Sequence, residues 1–237
     1  MTPELVMINE RWPIWLPPHR AARPEWPWWE KERLAAMHDT IEDGMVVWDI
    51  GAEEGDLPAL YATWGADLCL VEPNPLVWPN IRYIFNQNHL DLPRWFVGLC
   101  SDKVDLDPAE LDFDPGSARD GWPLVAHGPI IGDHGFRHIF DGQPTTPTTT
   151  IDRLREGWPA PDVVTMDVEG GEFHVLRGAS KVLAEDRPVV FVSIHPQFMK
   201  QMYGESDLAL HAWMTGYDYT AAFLGADHEQ HWRYDPH

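Results

Sequence analysis

The sequence predicts an α/β protein built on a mostly parallel sheet with helices on both faces. Three observations predict it. Short apolar runs alternate with helix-length segments over most of the chain, which is the pattern of strand–helix–strand units. The first of these runs ends in an acid and a glycine-bearing turn, VVWDIGAEEGD, and one helix later the next ends in VEPNP. Near the C-terminus, YDYTAAF and QHWRY flank the turn GADHE and read as an antiparallel hairpin that closes the sheet.

Residues 1–30 hold five of the 13 tryptophans, interleaved with prolines in WPIWLPP and RPEWPWWE. Proline at that density prevents a regular helix and favours an extended arm. Its indoles either plug an edge of the core or wall a substrate pocket as a lid. Leu34, Met37 and Ile41 have helical spacing over 30–41, and Gly44 stops the helix. Residues 1–44 are thus expected to form the arm and a first helix, and 45–237 one larger domain. Strands are expected over 46–50, 68–71, 95–100, 163–168 and 189–194, with helices over 57–63, 76–86, 173–183 and 206–215. Between them, about 103–147 is rich in Asp, Gly and Pro and reads as a covering insertion, because a structureless loop of that length is uncommon.

A chain of 237 residues can bury one large core. Lys and Arg number 17 against 38 Asp and Glu, a formal charge of -21, so a nucleic-acid backbone would be repelled over most of the surface. So acidic a surface serves solubility. No stretch is apolar enough to span a membrane and no secretory pattern is visible, so a cytoplasmic protein is expected. Cys69 and Cys100 both sit in apolar runs and are expected as buried thiols, not a disulfide.

The turn after the first strand decides the ligand class. Gly51 and Gly55 do not fit the G-x-G-x-x-G spacing that cradles a pyrophosphate. Acids in the turn would also repel one, at about 4 kcal/mol for a unit-charge contact near 4 Å in an effective dielectric of 20. A cofactor with a cationic centre and no phosphate fits instead. Asp49 would face its cationic end, and Glu72, 21 residues past Gly51, lies at the spacing from which an acid reaches ribose hydroxyls. S-adenosylmethionine has both features. Ser101 and Asp102, after the third strand, are then placed to meet the adenine.

A second block, TTTIDRL at 148–154, VVTMDVEGGEFHVLRGASKVL at 163–183 and VVFVSIHP at 189–196, joins the first. Together they resemble the FkbM family of S-adenosylmethionine-dependent methyltransferases, over roughly residues 44–200. The resemblance implies the class I methyltransferase (Rossmann-like) fold, a seven-stranded sheet with helices on both faces and a closing antiparallel hairpin. It implies a cofactor site of Asp49, Ile50, Gly51, Ala52, Gly55, Glu72, Pro73, Asn74, Ser101, Asp102 and Asp167. It also implies O-methylation of a hydroxyl on a small molecule, sugar or glycan. One departure stands out: where an E-x-H is expected at the end of the fifth strand, this chain has Ser193, Ile194 and His195.

Methyl transfer to an alcohol needs alignment and a proton acceptor, or a metal that acidifies the hydroxyl. Asp167, Glu169, His195, His228 and Glu229 are expected to meet at the carboxyl edge of the sheet, with His195 or Asp167 as the catalytic base. His228, Glu229 and His231 also admit a divalent metal, although H-E-x-H is not the helical metalloprotease spacing. A non-catalytic S-adenosylmethionine-binding sensor or partner protein is the main alternative, and a nicotinamide-linked oxidoreductase is disfavoured by the acidic turn. No membrane or nucleic-acid partner is expected.

Overall fold

The computed structural model describes residues 2–74, 77–104 and 148–237. In place of a single extended arm, the chain opens with an antiparallel hairpin of β1 (Glu4–Ile8) and β2 (Trp12–Leu16), followed by a short helix, α1 (Pro18–Ala21). Alternation along β2 turns Trp12, Ile14 and Leu16 inward and Pro13 and Trp15 outward. Proline is tolerated there because a two-stranded ribbon is all edge. Both expectations for the indoles find examples. Trp12 and Trp26 are buried in the core, whereas Trp29 lines the cleft described below.

Next come α2 (Lys31–Thr40), β3 (Val46–Ile50), α3 (Asp56–Thr63), β4 (Asp67–Val71), α4 (Trp78–Gln87) and β5 (Arg94–Phe96). The strand expected over 95–100 is divided at Gly98. Phe96 ends the ladder with β4, and beyond it β6 (Leu99–Cys100) pairs in parallel with β7 (Thr148–Thr149), outside the main sheet. The insertion expected at 103–147 lies, past residue 104, outside the described residues. After α5 (Ile151–Leu154) come β8 (Val163–Asp167) and α6 (Glu172–Arg177). The helix expected over 173–183 is interrupted: α6 ends at Gly178, which lies against the Ser101 carbonyl oxygen, and after a turn the chain is helical again up to Asp186. β9 (Val189–Ile194), α7 (Pro196–Phe198), α8 (Asp207–Gly216), β10 (Tyr219–Ala226) and β11 (Gln230–Pro236) complete the chain.

Seven strands form one sheet in the order β10-β11-β9-β8-β3-β4-β5. β9, β8, β3, β4 and β5 are parallel, and β11 is antiparallel to both of its neighbours. The period of two sorts side chains onto opposite faces. Val47, Leu68, Leu70, Val163 and Phe191 face the N-terminal hairpin, α2, α3 and α4, whereas Trp48, Cys69, Val71, Val164 and Val192 face α5, α6 and α8. The result is the class I methyltransferase architecture with its closing hairpin. Cys69 and Cys100 are free thiols. No helix among the described residues is long and apolar enough to cross a membrane.

Candidate active site

Ligands of open parallel sheets bind beyond the carboxyl ends of the strands. Here that edge carries a cleft of about 900 Å³, enough for a cofactor and part of a second ligand. The tips of β3, β4 and β8 form its floor, and the turn between β10 and β11 returns to it.

At one end lies Glu72, just past β4. It is buried, its Oε1 accepts from the Asn74 N–H at 2.7 Å, and its Oε2 accepts from the Glu53 N–H at 3.0 Å. Burial pushes its carboxyl up to about 8, and the two backbone donors only partly offset that. Ile50, Gly51, Pro73, Asn74, Ser101, Asp102 and Asp167 line the same cleft. Ser101 Oγ donates to Asp102 Oδ1 at 3.3 Å, and Asp102 also meets His174 at 3.3 Å and Arg177 at 3.2 Å. Burial acts to raise the Asp102 carboxyl, but His174 and Arg177 outweigh it and hold it below its ordinary value.

Not every residue of the expected cofactor set reaches this cleft. Asp49 and Ala52 line a smaller void of about 50 Å³ beneath it, with Arg33, Glu30 and Tyr61, and Gly51 and Asp167 border both spaces. Burial pushes Asp49 up to about 7 against the pull of Arg33. Gly55 borders neither space; it caps α3 and lies against Ile81 of α4.

At the other end, β8, β9 and the β10–β11 turn bring a histidine into a ring of acids. His195 follows β9 and is buried; its Nδ1 donates to Glu172 Oε1 at 2.8 Å, and Glu172 Oε1 also accepts from the Gly170 N–H at 2.8 Å. On the far side, His195 Nε2 lies 2.7 Å from Glu229 Oε2, 3.5 Å from Glu169 and 3.8 Å from Asp167. His195 Nε2 and Glu229 Oε2 thus form a close, buried ion pair. Burial alone would lower the His195 pKa, but the Glu172 bond and the nearby Glu229 and Asp167 charges raise it to about 11. Burial and the Glu229 charge raise Asp167 well above the carboxylate range. His231 is buried beside them with Nδ1 3.1 Å from Ser193 Oγ, and His228 is exposed in the turn. Ligand atoms of His195, His228 and Glu229 lie within 4.8 Å of one another.

Sequence reasoning missed the basic part of the cleft wall. Arg20 and Arg23 reach it from the arm beside Trp29, and His174 and Tyr203 from the far side. Arg20 is buried, ion-paired with Asp56 and bonded to Glu53 at 3.0 Å. The signal was HRAAR, a basic cluster inside the Trp- and Pro-rich arm, close to the acidic turn in space but not in sequence.

Comparison with known proteins agrees with this fold. The hexuronic acid methyltransferase AglP of Haloferax volcanii is 26% identical over 186 residues, which cover 76% of this chain and 70% of that protein. Among solved structures, the methyltransferase FkbM of Methylobacillus flagellatus KT superposes with a TM-score of 0.54 at 14% identity, over 82% of this chain. This chain spans only 44% of that one. A ribosomal protein L11 methylase of Lactobacillus delbrueckii subsp. bulgaricus matches with a TM-score of 0.50 at 9% identity, covering 87% of this chain and 77% of that one. The methyltransferase FkbM domain matches residues 49–221, well over half of the sequence, and with the cleft and its acidic turn in place the chain belongs to the FkbM methyltransferase family.

Proposed function

We propose that the protein transfers a methyl group from S-adenosylmethionine to a hydroxyl of a sugar or glycan, or of a small molecule with similar hydroxyls. The observation that carries this reading is one cleft with a ribose-type carboxylate, Glu72, at one end and the acid–histidine ring around His195 at the other. The cofactor suits the residues present. Both Glu72 oxygens are already fixed by backbone donors, which leaves their remaining lone pairs for a diol, and the acidic lining opposes any phosphate-bearing alternative.

When bound, S-adenosylmethionine supplies a methyl on a sulfonium: the acceptor's oxygen–carbon bond forms as the carbon–sulfur bond breaks, and the electron pair stays on the neutral thioether. The chain aligns the partners and takes the hydroxyl proton. Asp167 is the proposed acceptor, since it borders the cofactor loop and lies beside the ring. His195 was the other expected base. With its charge held by the surrounding carboxylates, its part is to fix them, Glu172 behind and Glu229 in front.

The relative from Haloferax volcanii is named for a hexuronic acid, which offers both hydroxyls and a carboxylate. Asp167, Glu169 and Glu229 would repel a carboxylate at the methyl, so a ring hydroxyl is the proposed nucleophile. The test is incubation with isotopically labelled S-adenosylmethionine and a panel of uronate-bearing and neutral glycans, read by mass spectrometry. Label on a glycan hydroxyl is the expected result. Tight S-adenosylhomocysteine binding with no transfer to any acceptor would support a non-catalytic role instead.

A further inference from the structure

Two imidazoles face one carboxylate beside the cleft. The proton on His195 Nδ1 is committed to Glu172, which is fully buried, so Nε2 is the nitrogen that gives up its proton when the ring takes a metal ion. That nitrogen forms an ion pair with Glu229 Oε2 at 2.7 Å, and both residues are more than nine-tenths buried. His228 repeats the arrangement: its Nδ1 lies 2.9 Å from Asp227 Oδ1, and its Nε2 lies 3.8 Å from the other Glu229 oxygen. A carboxylate behind an imidazole with the far nitrogen open is how proteins orient metal-binding histidines.

We propose that His195, His228 and Glu229 bind one divalent transition-metal ion. Two imidazoles and a carboxylate suit Mn²⁺, Fe²⁺, Co²⁺ or Zn²⁺ better than Ca²⁺ or Mg²⁺. Glu169, 3.5 Å from His195 Nε2, is in reach as a further ligand, and the exposed His228 leaves the site open to the cleft. The ion's use rests on the methyl-transfer reading: an acceptor hydroxyl bound to it becomes more acidic, and its proton passes to Asp167. Binding of the ion does not rest on that reading.

The test is Co²⁺ titrated into cofactor-free protein and followed by its visible absorption. One tight site is expected, lost in Glu229→Gln. Glu172→Gln keeps all three ligands but removes the support of His195, and should bind about 10- to 100-fold more weakly. Asp102→Asn, elsewhere in the cleft, should bind like the unaltered protein. Equal binding by Glu229→Gln and the unaltered protein, or no binding below millimolar Co²⁺, overturns the proposal. Should the variants fail to fold, anomalous scattering from Co²⁺-soaked crystals of the unaltered protein decides. A peak about 2 Å from His195 Nε2 and Glu229 supports the site; a peak elsewhere, or none, overturns it. S-adenosylhomocysteine affinity is measured separately without metal, so Co²⁺ binding without cofactor binding would keep the metal site and remove the methyltransferase reading.

Discussion

The Asp167 carbonyl oxygen lies over Gly51 so closely that a Cβ on the glycine would stand 1.9 Å from it. The tips of β3 and β8 touch at this point, and Gly51 has a φ of +93°, where a side chain adds strain to the clash. Gly51→Ala should therefore push the two tips apart. We expect a stability loss of about 1–3 kcal/mol and at least a tenfold loss of S-adenosylhomocysteine affinity. Denaturant melts and calorimetry matching the unaltered protein would show that the contact does not shape the site.

Glu72→Ala removes the proposed ribose partner and leaves the strand intact. Affinity for S-adenosylhomocysteine should fall by about 1–3 kcal/mol, with the fold preserved by circular dichroism. Unchanged affinity would remove Glu72 from the site.

Because the Glu72 carboxyl is pushed up to about 8, cofactor affinity should depend on pH. Below 8 the free protein holds a proton that the carboxylate must shed to accept ribose hydroxyls, so affinity should rise with pH, by up to about tenfold per unit, and level off above 8. Stability of the cofactor-free protein should run the other way. A folded pKa above the unfolded value favours folding fully below about 4.5, and that contribution is lost as pH rises through 8. Calorimetry from pH 6 to 9 on the unaltered protein and Glu72→Ala checks this, and a slope that persists in the variant would assign it to another group.

Asp167→Asn keeps the backbone that covers Gly51 and removes the proposed proton acceptor. Turnover should fall by about 10²- to 10⁴-fold, while S-adenosylhomocysteine affinity changes little. Loss of both together would point to a cofactor-binding role.

Arg20 ties the arm to the first cofactor loop, and both it and Asp56 are buried. Arg20→Ala leaves Asp56 charged and unpaired, which should cost about 3–5 kcal/mol of stability, whereas Arg20→Met with Asp56→Leu should cost much less. Equal losses in the single and double variants by chemical denaturation would mean that the pair is not coupled.

The sequence by itself determined the elements whose signal is local. The short apolar runs at Val46–Ile50 and Val189–Ile194 and the hairpin around Asp227–Glu229 were legible because strand and turn chemistry act within a few residues. So was the acidic strand tip at Glu72, since its distance from Gly51 is set along one strand–helix–strand unit. Tertiary structure alone decided contacts between distant segments. Residues 95–100 look continuous, but Cys100 lies opposite Thr149 across a ladder that no local window contains. Asp49 stands at a strand tip as expected, yet its carboxylate faces the small void beside Arg33, because side-chain direction depends on what α2 brings against the sheet. The same holds for the ring around His195. Its histidine and acids were visible one by one, but His195, Glu172 behind it and Glu229 in front, 2.8 and 2.7 Å away, come from three separate segments, and only the packing of α6 and of the closing hairpin against β9 sets those distances.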